Sequence, residues 1–538
     1  MKTVIFALNS SYSHTSLAAR ALARGMERHG LAYEIIEKNQ KEKRASVLAA
    51  LAEAGADVYG FSSYIWNVSD MRAYADSLKK ILPSAKIIFG GPEVLFAGEG
   101  FLAENPAVDY IIRGEGEEAF PLLCEAIAAG EAEKRIIDAP YFRDFTESGI
   151  YYGEVGETPH GLVYYESVRG CPFACTYCLS SVTERKIRAK SAERTLDDLL
   201  SFEKFDNIKT VKFVDRTFNF DRERAKAVWR GLCGAEYTKE YHFEICASLL
   251  DEESIEILTH APRGKFRVEV GLQSTNPETL RAIKRTLDVP KTLENTRRIY
   301  EAGNVCVHLD LIAGLPYEDY ASFGRSFNDA YGLCDELQLG FLKILCGCEM
   351  EKNAERYGIV YSHEPPYEVL RTSFISFEEL TSLKLTDELN DRFSNGESFR
   401  ASFPWLPLEY GDPFGFFEKL GEFFEEKYGK HHDLAKLSQV NAFLLLLEFA
   451  QTEMPDAGEA RARLALDFLL HETRKLPHEL ALGVLVPESV KADLLLSVPK
   501  HERASCEVAY LPFKSEKYII VNRKNKTLTE TQEVYNGF

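Results

Sequence analysis

The sequence predicts an α/β protein in three parts: an N-terminal Rossmann-like sheet, a central partial (β/α)6 barrel and a mainly helical α+β C-terminal region. Three observations carry this expectation. Residues 1–135 alternate short apolar runs with segments of helical period, the rhythm of a parallel sheet covered by helices on both faces. A second alternation of the same kind fills residues 161–348. From residue 349 to 538 the pattern changes to long apolar helical segments followed by two strand-like runs.

In the first part the strand runs read TVIFAL, YEIIEK, DVYGFSSY, AKIIFGG and VDYIIRGEGE, with helical stretches such as SLAARALARGMERHG and VSDMRAYADSLKKIL between them. Ligands of such sheets bind at the carboxyl ends of the strands. Two of those ends carry Gly90-Gly91-Pro92 and Gly114-Glu115-Gly116-Glu117, where glycine lets backbone approach a ligand or simply turns the chain. Residues 136–160 contain Pro140, Gly149, Gly153, Gly156 and Pro159 and read as a connector, a hairpin or irregular strap. Six further strand runs follow, LVYYESVRG, TVKFVDRTFNF, YHFEICASLL, FRVEVGLQS, VCVHLDLIAGLP and LQLGFLKIL. Six βα units are too few for a closed eight-stranded barrel and suit an open one. In the third part SQVNAFLLLLEFAQTEM and ARARLALDFLLHETRKL read as helices, and SCEVAYLPF and KYIIVNRKNKTLTE as paired strands turning around Asn525.

Composition narrows the function classes. An apolar content of 45% is ample for real cores and excludes wholesale disorder. The net charge of -19, from 64 basic and 83 acidic residues, argues against a broad electrostatic grip on nucleic acid. The opening MKTVIFALNSSYSH is a short strand running into polar residues, not a secretory signal. The run NAFLLLLEFA is too short to span a bilayer. Eleven cysteines in so long a chain, three of them clustered, make no secreted disulfide framework and point to a reducing cytoplasm.

That cluster is CPFACTYC, with Cys171, Cys175 and Cys178 on one tight loop directly after the first strand of the second part. A structural zinc site wants four protein ligands, and no fourth follows at a comparable spacing. Three thiolates can instead hold three irons of a [4Fe–4S] cube and leave the fourth iron open. With Pro172 and the aromatic Tyr177 inside it, the loop resembles the signature of the radical S-adenosylmethionine (SAM) enzymes. The resemblance implies that the open iron chelates the amino and carboxylate groups of SAM. An electron from the cluster then splits the sulfonium to give a 5'-deoxyadenosyl radical.

The first part resembles the cobalamin-binding domain that precedes many radical SAM cores. Three stretches carry the likeness: GFSSYIWN, FGGPEV and YIIRGEGEEAF. The resemblance implies that Ser62, Ser63, Gly90 and Gly91 face the corrin and its nucleotide tail. The wider cobalamin pattern Asp-x-His-x-x-Gly is absent: His14 is present, but Tyr12 and Leu17 stand at the flanking places. His14 is therefore as ordinary a loop residue as it is a cobalt ligand.

Several polar residues sit on the carboxyl halves of apolar barrel strands, where burial is costly without partners. They are Asp215 and Asn219 in FVDRTFN, Glu244 in FEICASLL, Glu269 and Gln273 flanking Gly271 in VEVGLQS, and Asp310 in HLDLIAGLP. Alternation places Glu269, Gly271 and Gln273 on one face. These patterns resemble the subgroup that pairs a cobalamin domain with a radical SAM core. There, residues of this kind, with Tyr177, line the SAM pocket. The competing reading is an interior polar network that only sets strand register. Cys346 and Cys348 flank Gly347 at the end of the sixth strand run; thiols one residue apart rarely bridge, so local packing is expected. Lys343 reads equally as an anion contact or a solvent-facing strand end, and the adjacent His431 and His432 as surface.

Together the resemblances imply a cobalamin-dependent radical SAM enzyme that methylates an unactivated carbon of a small molecule or peptide. An electron donor such as flavodoxin or ferredoxin would serve it. A rearrangement, cyclisation or ring contraction with the same cofactors is the alternative. Sulfur insertion into RNA predicts an extra N-terminal cysteine cluster, and no cysteine precedes Cys124. A sensor that binds the cofactors predicts no SAM cleavage. The third part resembles an uncharacterised domain attached to some of these enzymes.

Overall fold

Two parallel sheets organise the first 341 residues of the computed structural model, which describes residues 1–146, 161–183, 186–515 and 517–531. The part of the expected connector at residues 147–160 lies outside the described residues. Two compact units are formed. The first holds Met1–Glu318 and Gly340–Ser376, the second Asp319–Leu339 and the chain from Phe377 onward.

The first sheet contains β1 (Thr3–Asn9), β2 (Tyr33–Asn39), β3 (Val58–Ser62), β4 (Lys86–Gly90), β5 (Tyr110–Arg113) and β6 (Ile136–Asp138), in the order β2-β1-β3-β4-β5-β6. All neighbours run parallel. The first five strands are those read from the sequence; β6 lies inside the stretch read as connector and adds an edge strand there. β1 is buried at six successive positions, as a strand covered on both faces must be. One face packs Phe6, Tyr59, Phe61 and Phe89, the other Ile5, Val58, Ile88, Ile112 and Phe120. The helices Leu17–Arg28 and Gly116–Ala129 share that second face so closely that a Cβ at Gly25 would lie 2.0 Å from the Glu117 carbonyl oxygen. β1 has neighbours on both sides, so the chain leaves β1 and β3 in opposite senses and opens a crevice at their carboxyl ends.

The second sheet uses β7 (Leu162–Tyr165), then, after a short ribbon of β8 (Val168–Arg169) and β9 (Arg188–Ala189), β10 (Thr210–Phe213), β11 (Glu240–Ile245), β12 (Phe266–Gln273), β13 (Cys306–Ala313) and β14 (Glu336–Phe341). Its order is β14-β13-β12-β11-β10-β7, with both edges open. On β12 and β13 burial alternates strictly. One face is apolar; the other carries Arg267, Glu269, Gly271 and Gln273 beside Cys306, His308 and Asp310. The register sets Glu244 opposite Glu269, Glu269 opposite His308 and Gly271 opposite Asp310, then slips at Gln273. Gln273 itself takes φ +70°, a left-handed backbone that costs a non-glycine residue about 1–3 kcal/mol and clusters at ligand sites.

Residues 349–376, read from the sequence as the opening of the third part, are grouped with the first unit. They form β15 (Val360–Tyr361) and β16 (Val369–Arg371), and Tyr367 donates its hydroxyl to Glu93 of the first domain at 2.8 Å. The second unit carries the two expected helices as Gln439–Glu453 and Ala457–His471, with Pro413–Tyr428 beside them. Phe399, Phe403, Phe416 and Phe443 interlock in its core. Its sheet runs β17 (Cys506–Tyr510), β18 (Tyr518–Asn522), β19 (Thr527–Glu530), all antiparallel, turning where Asn525 predicts. Among the described residues no helix is long and apolar enough to cross a membrane.

Candidate cofactor site

The cysteine loop begins where β8 and β9 pair as a two-residue ribbon, Val168 opposite Ala189 and Arg169 opposite Arg188. Gly170 at the loop entrance has φ +95°, which only glycine adopts without strain. Inside, the Cys178 amide donates to the Cys175 carbonyl at 3.2 Å, and both the amide and the hydroxyl of Ser181 donate to the Cys178 carbonyl. Cys175 is buried while Cys171 and Cys178 are half-buried, and none is in a disulfide. Burial raises the Cys175 thiol, and the charges of its two companions add to that rise. Arg285 works against it, placing Nη1 3.7 Å from the Cys175 Sγ. Arg285 Nη2 also donates to the Gly271 carbonyl, and its buried Nε has no hydrogen-bond partner among the described residues. A guanidinium with a spare donor beside a thiol set is an anion receiver. Sequence reasoning missed it, because a lone arginine between helices carries no local signal.

The predicted strand residues separate into two groups. Asp215 is wholly buried and taken: it accepts from the amides of Ser167 at 2.8 Å and Val168 at 2.9 Å and from the Ser167 hydroxyl. Burial pushes it up to about 6, against these bonds and the Arg224 charge. Its carboxylate therefore clamps the start of the ribbon, the role of the register network and not that of an open ligand contact. Asn219 exchanges hydrogen bonds with the backbone of Cys246 and likewise ties strand ends together. Glu269 is engaged too. Burial works against its charge, yet His242 and Lys212, each at 3.2 Å, hold it down to about 2. It fits the register network better than a ligand contact.

Glu244 and Asp310 are different. Burial lifts Glu244 to about 7, opposed in part by Arg216. Burial, with the nearby charges of Glu269 and Glu244, lifts Asp310 to about 8. The buried Asp310 Oδ1 and Gln273 Oε1 have no hydrogen-bond partner among the described residues. Orphaned buried acceptors are costly, and donors from a bound molecule would satisfy them. Tyr177, inside the cysteine loop, is raised above its ordinary value by burial.

The crevice of the first sheet is a cavity of about 780 Å³, within the size of a cofactor pocket. Ser62, Gly90 and Gly91 line it from the sheet side. A Cβ built on Gly90 would meet nothing nearer than the Ile112 carbonyl at 4.0 Å, so this position faces open space. Gly91 has φ +104°, and its Cβ would lie 2.5 Å from the Ser63 carbonyl oxygen; that glycine is demanded by the fold as well. Ser63 is fully buried with an unpartnered hydroxyl and is not among the cavity-lining residues. Its amide donates to the Gly90 carbonyl at 2.7 Å, so it lies directly behind the cavity wall. Gly60, Leu22, Gly116 and Phe120 also line the cavity, and the glycines are demanded by packing, since added Cβ atoms would strike Phe120 at 2.6 Å and Leu22 at 2.7 Å. His14 also lines the cavity, and its Nδ1 meets the Tyr164 hydroxyl of β7.

The opposite wall of this cavity is the second domain: Tyr164, Glu166, Val214 and Arg216 at strand ends, and Val168, Arg169, Gly170 and Ser180 of the cysteine loop. Gly170 adjoins Cys171 and Ser180 stands two places past Cys178, so one chamber touches both the first-domain crevice and the thiol loop. The donor sets fit a three-thiolate cluster, a polar small molecule beside it and a large cofactor in the crevice. Cys346 is exposed and Cys348 buried at the start of the helix Glu349–Lys352. Lys343 bridges Glu368 through its backbone, and His431 and His432 are exposed.

Comparison with known proteins falls along the same division. The family described as B12 binding domain matches residues 3–124, and the radical SAM superfamily matches residues 165–330. The chain therefore joins a segment matching the B12 binding domain to a segment matching the radical SAM superfamily. A family of unknown function, DUF4080, matches residues 355–491. The chain is 29% identical over 317 residues to the cobalamin-dependent radical SAM methyltransferase TokK of Streptomyces tokunonensis, a match covering 51% of this chain and 44% of that protein. It is 23% identical over 232 residues to an anaerobic magnesium-protoporphyrin IX monomethyl ester cyclase of Synechocystis, covering 39% of this chain and 46% of the relative. The chain thus spans less than half the length of these relatives. Its fold is that of the cobalamin-dependent SAM radical enzyme OxsB, with a TM-score of 0.59 at 14% identity over 93% of this chain and 82% of that one. The two matched domains are those that the sequence motifs predict.

Proposed function

We propose that the protein is a cobalamin-dependent radical SAM methyltransferase acting on an unactivated carbon of a small molecule or peptide. The observation that carries this reading is the shared chamber: cysteine-loop residues form one wall of the cavity whose other wall is the B12-binding crevice. Two cofactors that must act on one substrate need such a common, water-poor space. When bound, the cluster with SAM would supply hydrogen abstraction and cobalamin a methyl group. Cys171, Cys175 and Cys178 would hold the cluster. Arg285 would take the SAM carboxylate on its free Nε, and Asp310, Gln273 and Glu244 would accept from its amine and hydroxyl groups, with Tyr177 closing the loop side. Ser62, Gly90 and Gly91 would receive the corrin and its nucleotide tail. Electrons would come from a flavodoxin or ferredoxin. The methyltransferase relative supports methyl transfer; the cyclase relative favours, as a second reading, a cyclisation with the same cofactors and no methyl transfer.

The test is anaerobic reconstitution with iron, sulfide and hydroxocobalamin, then reduction with SAM and chromatography. Retained cobalamin with both 5'-deoxyadenosine and S-adenosylhomocysteine is the expected result. With methyl-accepting substrate classes supplied, 5'-deoxyadenosine alone would move the assignment to the second reading.

A further inference from the structure

We propose that Arg169 is a positioning residue: with Arg188 it locks the neck of the cysteine loop onto the Gly-Glu-Gly-Glu loop of the cobalamin domain and so sets the separation of the two cofactors. This rests on the reading that both cofactors bind. The glutamates of that loop are committed to arginines. Arg169 Nη1 lies 2.9 Å from Glu115, Nη2 lies 2.5 Å from Glu117, and Nε and Nη2 reach Glu166 at 3.0 and 2.8 Å. Arg188, directly opposite Arg169 in the ribbon register, pairs with Glu115 as well and donates to the Phe142 carbonyl at 2.8 Å. Both strands of the neck therefore grip the same carboxylate, Arg169 from two residues before Cys171 and Arg188 from ten residues after Cys178. Phe145 lies under both guanidinium groups, at 4.6 and 5.7 Å.

The side chains of Arg169 and Glu117 are 10% and 7% exposed. A surface ion pair would hold little. A buried one is a poor source of net stability, but its planar, multidentate geometry fixes orientation, and loss of one partner strands the others. Arg169, Glu115, Glu117 and Glu166 all line the cofactor chamber, so any slip of this contact changes the chamber itself. The two-sided arrangement suits a device that sets distance and angle more than one that adds stability.

The experiment uses the full chain loaded with cluster and cobalamin and reduced so that both centres are paramagnetic. Pulsed electron resonance then reads the cobalt-to-cluster distance distribution. Three variants are compared with the parent: Arg169→Gln, Arg169→Lys and the near-isosteric Glu117→Gln. The expected result is parental iron and cobalamin stoichiometry with a broadened or shifted distance in Arg169→Gln and Glu117→Gln, partly restored in Arg169→Lys. Coupling should follow: product formation falls about a hundredfold, while 5'-deoxyadenosine still accumulates and substrate KM stays within a few fold. If Arg169→Gln fails to take up cluster, Glu117→Gln decides. An unchanged distance distribution in a fully loaded Glu117→Gln overturns the proposal. A parent protein that binds the cluster but no cobalamin instead overturns the functional reading on which the proposal stands, and the missing cobalt signal tells the two failures apart.

Discussion

Two adjacent glycines make opposite predictions, and together they test where cobalamin sits. Gly90 closes β4 opposite Ser62, lines the cavity, and has an ordinary backbone with its nearest Cβ neighbour at 4.0 Å. Gly90→Phe therefore folds: strand preference changes by about 1 kcal/mol at most, and the ring enters open space. The same ring stands in the 780 Å³ cavity where the corrin is expected. Cobalamin affinity should fall at least about a hundredfold, or about 2.7 kcal/mol, with cluster iron unchanged. Gly91→Ala is the converse. At φ +104°, with its Cβ 2.5 Å from the Ser63 carbonyl, it costs about 1–3 kcal/mol of backbone strain plus displacement of β3. The assay is cobalamin retention by absorbance after anaerobic gel filtration, alongside the thermal midpoint of the unloaded protein. Full cobalamin affinity in Gly90→Phe refutes the placement. A larger loss of midpoint in Gly90→Phe than in Gly91→Ala refutes the geometric reasoning behind it.

Alanine at any one of Cys171, Cys175 or Cys178 should abolish 5'-deoxyadenosine formation and cut bound iron; normal yield from such a variant rejects the cluster assignment. Asp310→Asn tests the orphaned acceptor in the ligand-free protein. Its carboxyl is raised to about 8, so the native state holds a proton that the unfolded chain releases near pH 4. The stability it contributes is full below about pH 4 and is lost as pH rises towards 8. Asn should flatten that decline, measured as midpoint against pH from 5 to 9; an unchanged slope would show that Asp310 is not the group responsible. Asp215→Ala should strand the Ser167 and Val168 amides and cost about 3–5 kcal/mol, lowering the midpoint and cluster yield. SAM affinity of the fraction that still holds cluster should stay parental; a selective loss of SAM binding would restore Asp215 to the pocket.

The contrast between Asp215 and Asp310 marks how far the sequence could be read. Both are acids near the carboxyl ends of apolar strands, and both were expected at the SAM pocket. What divides them lies elsewhere in the chain: Ser167, Val168 and Arg224 surround Asp215, whereas Asp310 Oδ1 has no hydrogen-bond partner among the described residues. Periodicity reports which face a residue occupies, and it placed Glu269, Gly271 and Gln273 together on β12. It does not report whether Lys212 and His242 have already taken a carboxylate. The eleven longer strands of the two sheets announce themselves by apolar runs. β6, β8 and β9 are two or three residues long and leave no such signal. Arg285 was invisible for the same reason as the Asp215 clamp: its role depends on Cys175, 110 positions away.

The cysteine loop shows what the remaining chain contributes to a motif legible on its own. Spacing alone brings three thiols to one turn, but that turn is anchored from four separate directions. The ribbon neck holds its base, with Arg169 and Arg188 fixed to the first domain. Asp215 clamps the residues that lead into it. The Thr176 amide donates to the Ile283 carbonyl at 3.0 Å, while the Thr176 carbonyl accepts from the Met350 amide at 2.8 Å. Arg285 adds a charge beside Cys175. Each anchor is a backbone bond or a buried charge, and they come from several separate stretches of the chain. A loop held this way cannot yield at one contact without straining the others, which is why single changes at Asp215 or Glu117 should alter the loop's position and leave its chemistry intact.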